Sequence, residues 1–243
     1  MNSREANKRL SKISILKSLA EPELEKLGSA CTWLQVRARQ MVVSQLSRER
    51  NIYFISEGVF QVGMVTTGGR PVSFRKLHAG SHFGELAALT NAPRTTNVMA
   101  ETPGVLAECP PEAFMDLLRT SSTFAETIAV SLARGVVMLS DRVFELATLE
   151  VRFRIYAELL RLARKGEITA DGVLVCNAPT HETIAATVGA QREVVTREFK
   201  MISEEGIITS GRRQFLIRDI DRLREMMQRR AGVTVSQMMD WSA

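Results

Sequence analysis

Phe83-Gly84-Glu85-Leu86-Ala87 is followed, nine residues after the glutamate, by Arg94 in Pro93-Arg94-Thr95-Thr96. The stretch lies in a region patterned for short strands, so it sets a carboxylate and a guanidinium near a glycine on a β scaffold. Gly84 lets the backbone approach a ligand closely, and successive amides in such a turn form an anion-binding nest. Arg94 can make a bidentate, charge-assisted pair with a phosphate. Ionised Glu85 only accepts hydrogen bonds, which suits a ribose 2′-hydroxyl, and Arg94 can also orient it. Phe83, Leu86 and Thr95 complete the candidate ligand-binding set. Taken alone, a buried structural Glu85–Arg94 pair explains the two charges about as well.

Around this stretch, residues 32–110 carry short apolar or β-branched segments: Val36, Met41-Val42-Val43, Ile52-Tyr53-Phe54-Ile55, Val59-Phe60, Val62 and Met64-Val65. Turn residues punctuate them at Glu57-Gly58, Thr67-Gly68-Gly69, Ala79-Gly80 and Thr102-Pro103-Gly104. Gly68-Gly69 predicts a hairpin between 62–66 and 71–77. The pattern predicts a small antiparallel sandwich or barrel. Residues 1–30 read as short helices, with Leu10, Ile13, Ile15, Leu16, Leu19, Leu24 and Leu27 at roughly helical spacing and Glu21-Pro22 opening the second.

After Pro110-Pro111 the period becomes helical. A short helix starts at Pro111-Glu112 with Phe114, Leu117 and Leu118 on its apolar face. A long helix over 123–147 carries Leu132, Val136, Leu139, Val143 and Leu146, stepping by four, three, four, three. That is the spacing of a coiled-coil seam, although a helix packed on its own domain presents the same stripe. A new helix follows over 152–164, then a polar loop holding a strand at Val173-Leu174-Val175.

Residues 180–206 read as helix, glycine turn, helix. Thr180 caps a helix carrying Ile184, Ala185 and Val188, and Gly189 turns the chain. Gln191 opens a second helix with Val194, Val195, Phe199 and Ile202 inward, stopping near Gly206. Its other arc offers Arg192, Glu193, Thr196, Arg197 and Lys200. Arginine pairs with guanine O6 and N7, and glutamate accepts from cytosine N4. A hairpin follows, Ile207-Ile208-Thr209 and 214–217 around Ser210-Gly211, which reads as a wing with Arg212 and Arg213 at its turn, placed to meet phosphates. Candidate DNA contacts are therefore Thr180, Gln191, Arg192, Glu193, Thr196, Arg197, Lys200, Arg212 and Arg213. An ordinary solvated helix face has the same charge pattern.

Composition bounds the alternatives. Of the 243 residues, 45% are hydrophobic and 24% charged, which suits a soluble chain with a buried core. Lys and Arg number 32 against 27 Asp and Glu, and a net charge of +5 permits nucleic-acid binding without demanding it. No apolar run approaches the roughly 18–20 residues of a membrane span, and the polar start is unlike a signal peptide, so a cytoplasmic location is expected. Cys31, Cys109 and Cys176 read as isolated reduced thiols, and His78, His82 and His181 lack ligand spacing. No metal, haem or iron–sulfur cluster is expected. His82 reads as a solvated loop residue. Glu85 and His82 can pose as acid and base, but no activated nucleophile accompanies them, so an enzyme is not expected.

Residues 83–87 and 93–95 resemble the phosphate-binding cassette of cyclic-nucleotide-binding domains. The resemblance extends over nearly the whole chain to the Crp/Fnr family of bacterial transcription regulators. It implies an α+β architecture: an N-terminal antiparallel β-sandwich or jelly-roll cyclic-nucleotide-binding domain (1–122), a dimerisation helix and hinge (123–150), and a winged helix-turn-helix DNA-binding domain with a C-terminal helix (151–243). It gives Glu85 the ribose 2′-hydroxyl and Arg94 the cyclic phosphate. A threonine–serine pair that touches adenine in such proteins is matched by Leu139 and Ser140, so half of that contact is missing. Thr95 stands where similar domains favour guanine; cyclic AMP is expected, with cyclic GMP as the alternative. Arg192, Glu193 and Arg197 match the family's reading residues in order and spacing, which implies TGTGA-like palindromic half-sites on double-stranded DNA. The ligand cysteines that the fumarate–nitrate regulators of the family carry near the N-terminus are absent. A homodimer through 123–147 and contact with RNA polymerase are also implied. A ligand-independent DNA-binding dimer with a structural sandwich is the competing reading.

Overall fold

The computed structural model describes residues 3–65 and 71–231, and the chain divides into two compact units, 1–135 and 136–243. The first unit opens with α1 (Ser3–Leu10), a 3-10 turn (Ser14–Leu16) and α2 (Glu21–Ala30), where Pro22 sits in the first turn. Strands β1 (Thr32–Val36), β2 (Met41–Val43), β3 (Ile52–Glu57), β4 (Val59–Val65), β5 (Pro71–His78) and β6 (His82–Phe83) follow. Helix α3 (Glu85–Thr90), β7 (Asn97–Ala100), β8 (Gly104–Cys109) and α4 (Pro111–Thr120) lead into α5 (Ser122–Thr148).

These strands pair antiparallel in two four-stranded sheets, β1-β8-β3-β6 and β2-β7-β4-β5, as the turn spacing predicts. Strand β3 shows why they stack. Its first four residues are all buried, and alternate side chains leave on opposite faces. Tyr53 and Ile55 enter the core between the sheets with Phe60, Val62, Phe83 and Leu106. Ile52 and Phe54 join a second core with Leu10, Leu16, Leu27, Phe114 and Phe124 from the helices. Val65 pairs with Pro71 across the expected hairpin, whose Gly68-Gly69 turn lies outside the described residues.

The second unit contains the end of α5, then α6 (Val151–Ala163), β9 (Glu167–Thr169), β10 (Gly172–Cys176), α7 (His181–Val188), α8 (Arg192–Glu204), β11 (Ile208–Gly211), β12 (Gln214–Ile217) and α9 (Ile220–Ala231). Its sheet runs β11-β12-β10-β9. One core joins Tyr156, Leu159 and Leu160 of α6, Ile184 and Val188 of α7, Val195 and Phe199 of α8, and Phe215 and Ile217 of β12.

Four readings need correction. Ser210-Gly211 belong to the wing strand and not to its turn, because Ser210 pairs with Phe215 and Gly211 with Gln214; Arg212 and Arg213 are at the turn as expected, and Arg213 takes φ +57°. Strand β9 was not expected; two of its three residues are exposed, so it has no apolar signature. Cys31 and Cys109 are not isolated: Thr32 pairs with Glu108, which brings the two thiols close enough to influence each other. Helix α5 is, by length and composition alone, apolar enough to cross a membrane, with mean hydropathy 1.3 over 18 residues. No continuous apolar run marks it in the sequence, because Arg134, Asp141 and Arg142 interrupt the helix.

The seam residues of α5 behave unequally. Leu132 packs on the helical core of the first unit. Val136, Leu139, Val143 and Leu146 are 63%, 61%, 66% and 54% exposed. Beyond Thr148 the chain folds back, and four charges bind α5 to α6. Arg161 grips Glu145 bidentately at 2.6 and 3.0 Å and also donates to Glu158 at 3.1 Å, while Arg142 reaches Glu158 at 2.6 Å. Glu145 is only 3% exposed. Burial pushes its carboxyl pKa up against the pull of Arg161 and Arg142.

Candidate functional site

Strand β6 delivers Phe83 to the sandwich core, and Gly84 then turns the chain into α3 with φ +97° and ψ −4°. A Cβ at Gly84 would stand 2.6 Å from the Asn51 carbonyl and 2.7 Å from Arg94 Nη1. The position therefore demands glycine for its backbone and for its space. Glu85 is the first residue of α3 and half-buried; Leu86 is exposed.

Arg94 is 3% exposed. It donates from Nη1 to Gly84 O at 3.1 Å and from Nη2 to Asn51 O at 2.6 Å, and its guanidinium lies 5.8 Å from the Tyr53 ring. Its Nε is buried without a partner. Burial lowers its pKa, while Tyr53 and the carboxylates of Glu49, Glu85 and Glu108 pull the other way. Among the described residues no ion pair joins Arg94 to Glu85, so the guanidinium is oriented by two backbone carbonyls and not by that carboxylate. This corrects the expectation that Arg94 orients Glu85.

A supporting layer stands behind the arginine. Tyr53 stacks on Phe83 at 4.9 Å and donates to Glu108 at 2.8 Å, and Asn51 Nδ2 donates to the same carboxylate oxygen. Burial first, then Glu108, pushes the Tyr53 hydroxyl well above its usual range, so it stays a neutral donor. The sequence reading missed Asn51, Tyr53 and Glu108, since their roles follow only from the pairing of β3 with β6 and β8. His82 lies in β6 opposite Phe54 and is not a solvated loop residue. Thr95 is exposed beside Arg94. Leu139 and Ser140 are exposed on α5 and belong to the other unit.

In the second unit Thr180 caps α7 by accepting from Thr183 N–H at 3.2 Å. Gly189 takes φ +64° and ψ +48°, donating its N–H to Ala185 O, and the chain enters α8 after Gln191. Val195, Phe199 and Ile202 face the core, whereas Gln191, Arg192, Glu193, Thr196, Arg197 and Lys200 are exposed. Lys200 stands 3.8 Å from Glu204. Arg192, Arg197, Arg212 and Arg213 are exposed and form no ion pair among the described residues. Thr196 is more constrained than expected: its hydroxyl donates to Arg192 O and accepts from His181 Nδ1, each at 3.0 Å. His181, not foreseen as part of this surface, sits on Phe199 at 4.5 Å, and burial, then Arg192, lowers its pKa. Among the described residues no three His, Cys, Asp or Glu side chains come together as a metal site.

Residues 33–121 match the family model of the cyclic nucleotide-binding domain, and residues 153–226 that of the Crp-like helix-turn-helix domain. The chain is 26% identical over 197 residues to the cAMP-activated global transcriptional regulator CRP of Escherichia coli, which covers 80% of this chain and 93% of that protein. It is 29% identical over 178 residues to the transcriptional regulator SdrP of Thermus thermophilus, covering 73% and 84%. The structure of a CooA mutant from Carboxydothermus hydrogenoformans is similar in fold, with TM-score 0.76 at 15% identity over 88% of this chain and 94% of that one. With both matched domains in this order on the fold described, the chain belongs to the Crp/Fnr family and is a DNA-binding transcription regulator with a cyclic nucleotide-binding domain.

Proposed function

We propose that the protein is a cytoplasmic homodimeric regulator that binds TGTGA-like palindromes when a cyclic nucleotide occupies the cassette, with cyclic AMP as the first ligand and cyclic GMP as the alternative. The observation that carries this reading is Arg94, a buried guanidinium with no ion-pair partner among the described residues and a buried, unpartnered Nε. A buried cation without an anion is costly, so a phosphate is the natural complement. Glu85, unpaired with Arg94, is free to accept from a ribose hydroxyl. Residues 1–122 bind the nucleotide, 123–150 dimerise and hinge, and 151–243 bind DNA. The exposed stripe of Val136, Leu139, Val143 and Leu146 supports the dimer. Arg192, Glu193 and Arg197 read bases, Arg212 and Arg213 meet phosphates, and RNA polymerase is the downstream partner.

The cyclic AMP named for the Escherichia coli relative supports the first choice, and exposed Thr95 supports the alternative. Calorimetry with each nucleotide, then mobility shifts on a TGTGA palindrome with and without it, tests both parts. Binding of one nucleotide with tighter operator binding is expected. Operator binding unchanged at saturating ligand would leave the ligand-independent dimer in its place.

A further inference from the structure

A cavity of about 490 Å³ lies where the start of α6 faces α8. Arg152 and Arg154 line it from α6, and Arg197 from α8. The carboxylates in its wall are Glu150 and Glu198. Glu150 stands 3.7 Å from Arg152, and Glu198 accepts the Tyr156 hydroxyl at 3.2 Å. Neither compensates Arg154 or Arg197.

Arg154 is the anomaly. Its Nε is buried with no hydrogen-bond partner among the described residues. Its Nη1 lies 3.5 Å from an ideal Cβ at Gly189, so the guanidinium rests against the α7–α8 turn. It donates to none of that turn's carbonyls, so bracing the turn does not account for it. Arg154 is half-buried, and a guanidinium whose Nε is shielded from water with no acceptor leaves room for an anion beside it.

We infer that this cavity seats a backbone phosphate of the DNA bound by α8, with Arg154 as its principal holder and Arg152 beside it. The inference rests on the DNA-binding reading above. Arg197 joins the two: it lies on the exposed arc of α8 and also in the cavity wall. A duplex following that arc carries a phosphate charge about every 1.7 Å of its axis, so phosphates are at hand for a cavity that shares Arg197 with the arc. Such a contact adds affinity and register and carries no sequence information.

The test uses the full-length protein, saturated with whichever nucleotide it binds, and fluorescence anisotropy on a palindromic and an unrelated duplex over a range of salt. Arg154→Met is expected to weaken both duplexes alike and to reduce the slope of log K against log salt by about 1.8, the share of one phosphate from each protomer of the dimer. Arg154→Lys should retain the slope. A scan of single neutral methylphosphonates beside the half-site should find a position that weakens the wild type but not Arg154→Met. That scan on the wild type stands even if Arg154→Met folds poorly. A wild-type slope in folded Arg154→Met, or no sensitive methylphosphonate position, overturns the seat. Inorganic phosphate that raises the melting temperature of the wild type but not of Arg154→Met, with the DNA slope unchanged, also overturns it, in favour of a free-anion site. A wild type that binds neither duplex at any salt sinks the DNA reading itself, which is a distinct result.

Discussion

At the scale of residues, Gly84 and Arg94 are one unit. The glycine lies in a left-handed conformation and leaves room for the arginine's Nη1, whose bond to Gly84 O in turn holds the loop. Gly84→Ala should therefore cost about 1–3 kcal/mol in denaturant unfolding, through strain and displacement of Arg94, and should abolish nucleotide heat in calorimetry. The thiols separate by environment. The Cys31 contact, then burial, pushes the Cys109 thiol up, whereas Cys176 is exposed. Timed alkylation followed by mass mapping should modify Cys176 first and Cys109 last.

Among elements, the α5–α6 elbow is the most charged joint. Glu145 is buried against Arg161, so Arg161→Ala leaves a carboxylate with only Arg142, 3.5 Å away. A loss of about 3 kcal/mol is expected, the low end for breaking a buried pair, because Arg161 is itself about a third exposed. The pH sign follows from Glu145. Its folded pKa is raised above 4.5, so protonation favours the fold, a contribution present below 4.5 and lost as pH rises through the folded value. Relative to wild type, Arg161→Ala should thus recover stability on acidification toward that value, read by urea melts at several pH values. The seam of α5 supports a second prediction. Val136→Asp with Val143→Asp places charge on its exposed apolar stripe and should shift sedimentation from dimer to monomer while leaving the melting temperature of each unit near that of the wild type.

For the whole molecule, the two units hold separate cores, so any control of one by the other is a coupling free energy. If nucleotide tightens operator binding by some factor, operator must tighten nucleotide binding by the same factor. Calorimetric titration of nucleotide into free and operator-bound protein should return that equality.

Much of this was legible in the residues alone. Turn spacing predicts the sandwich, the four-three stepping predicts the long helix, and Thr180, Gly189 and Gln191 mark out the two DNA-domain helices, because each depends on local periodicity and backbone preference. The cassette was recognisable for the same reason: its glycine, glutamate and arginine lie within one short stretch. What the arginine touches was not legible. Tyr53 and Glu108 come from two strands whose pairing no local signal specifies, and Asn51 immediately precedes the first of them. The Cys31–Cys109 contact, the charges joining α5 to α6 and the unsatisfied Arg154 also arise only when distant segments pack. Local chemistry chose the elements and the ligand-binding residue types; tertiary packing decided which charges are buried and which are left without partners.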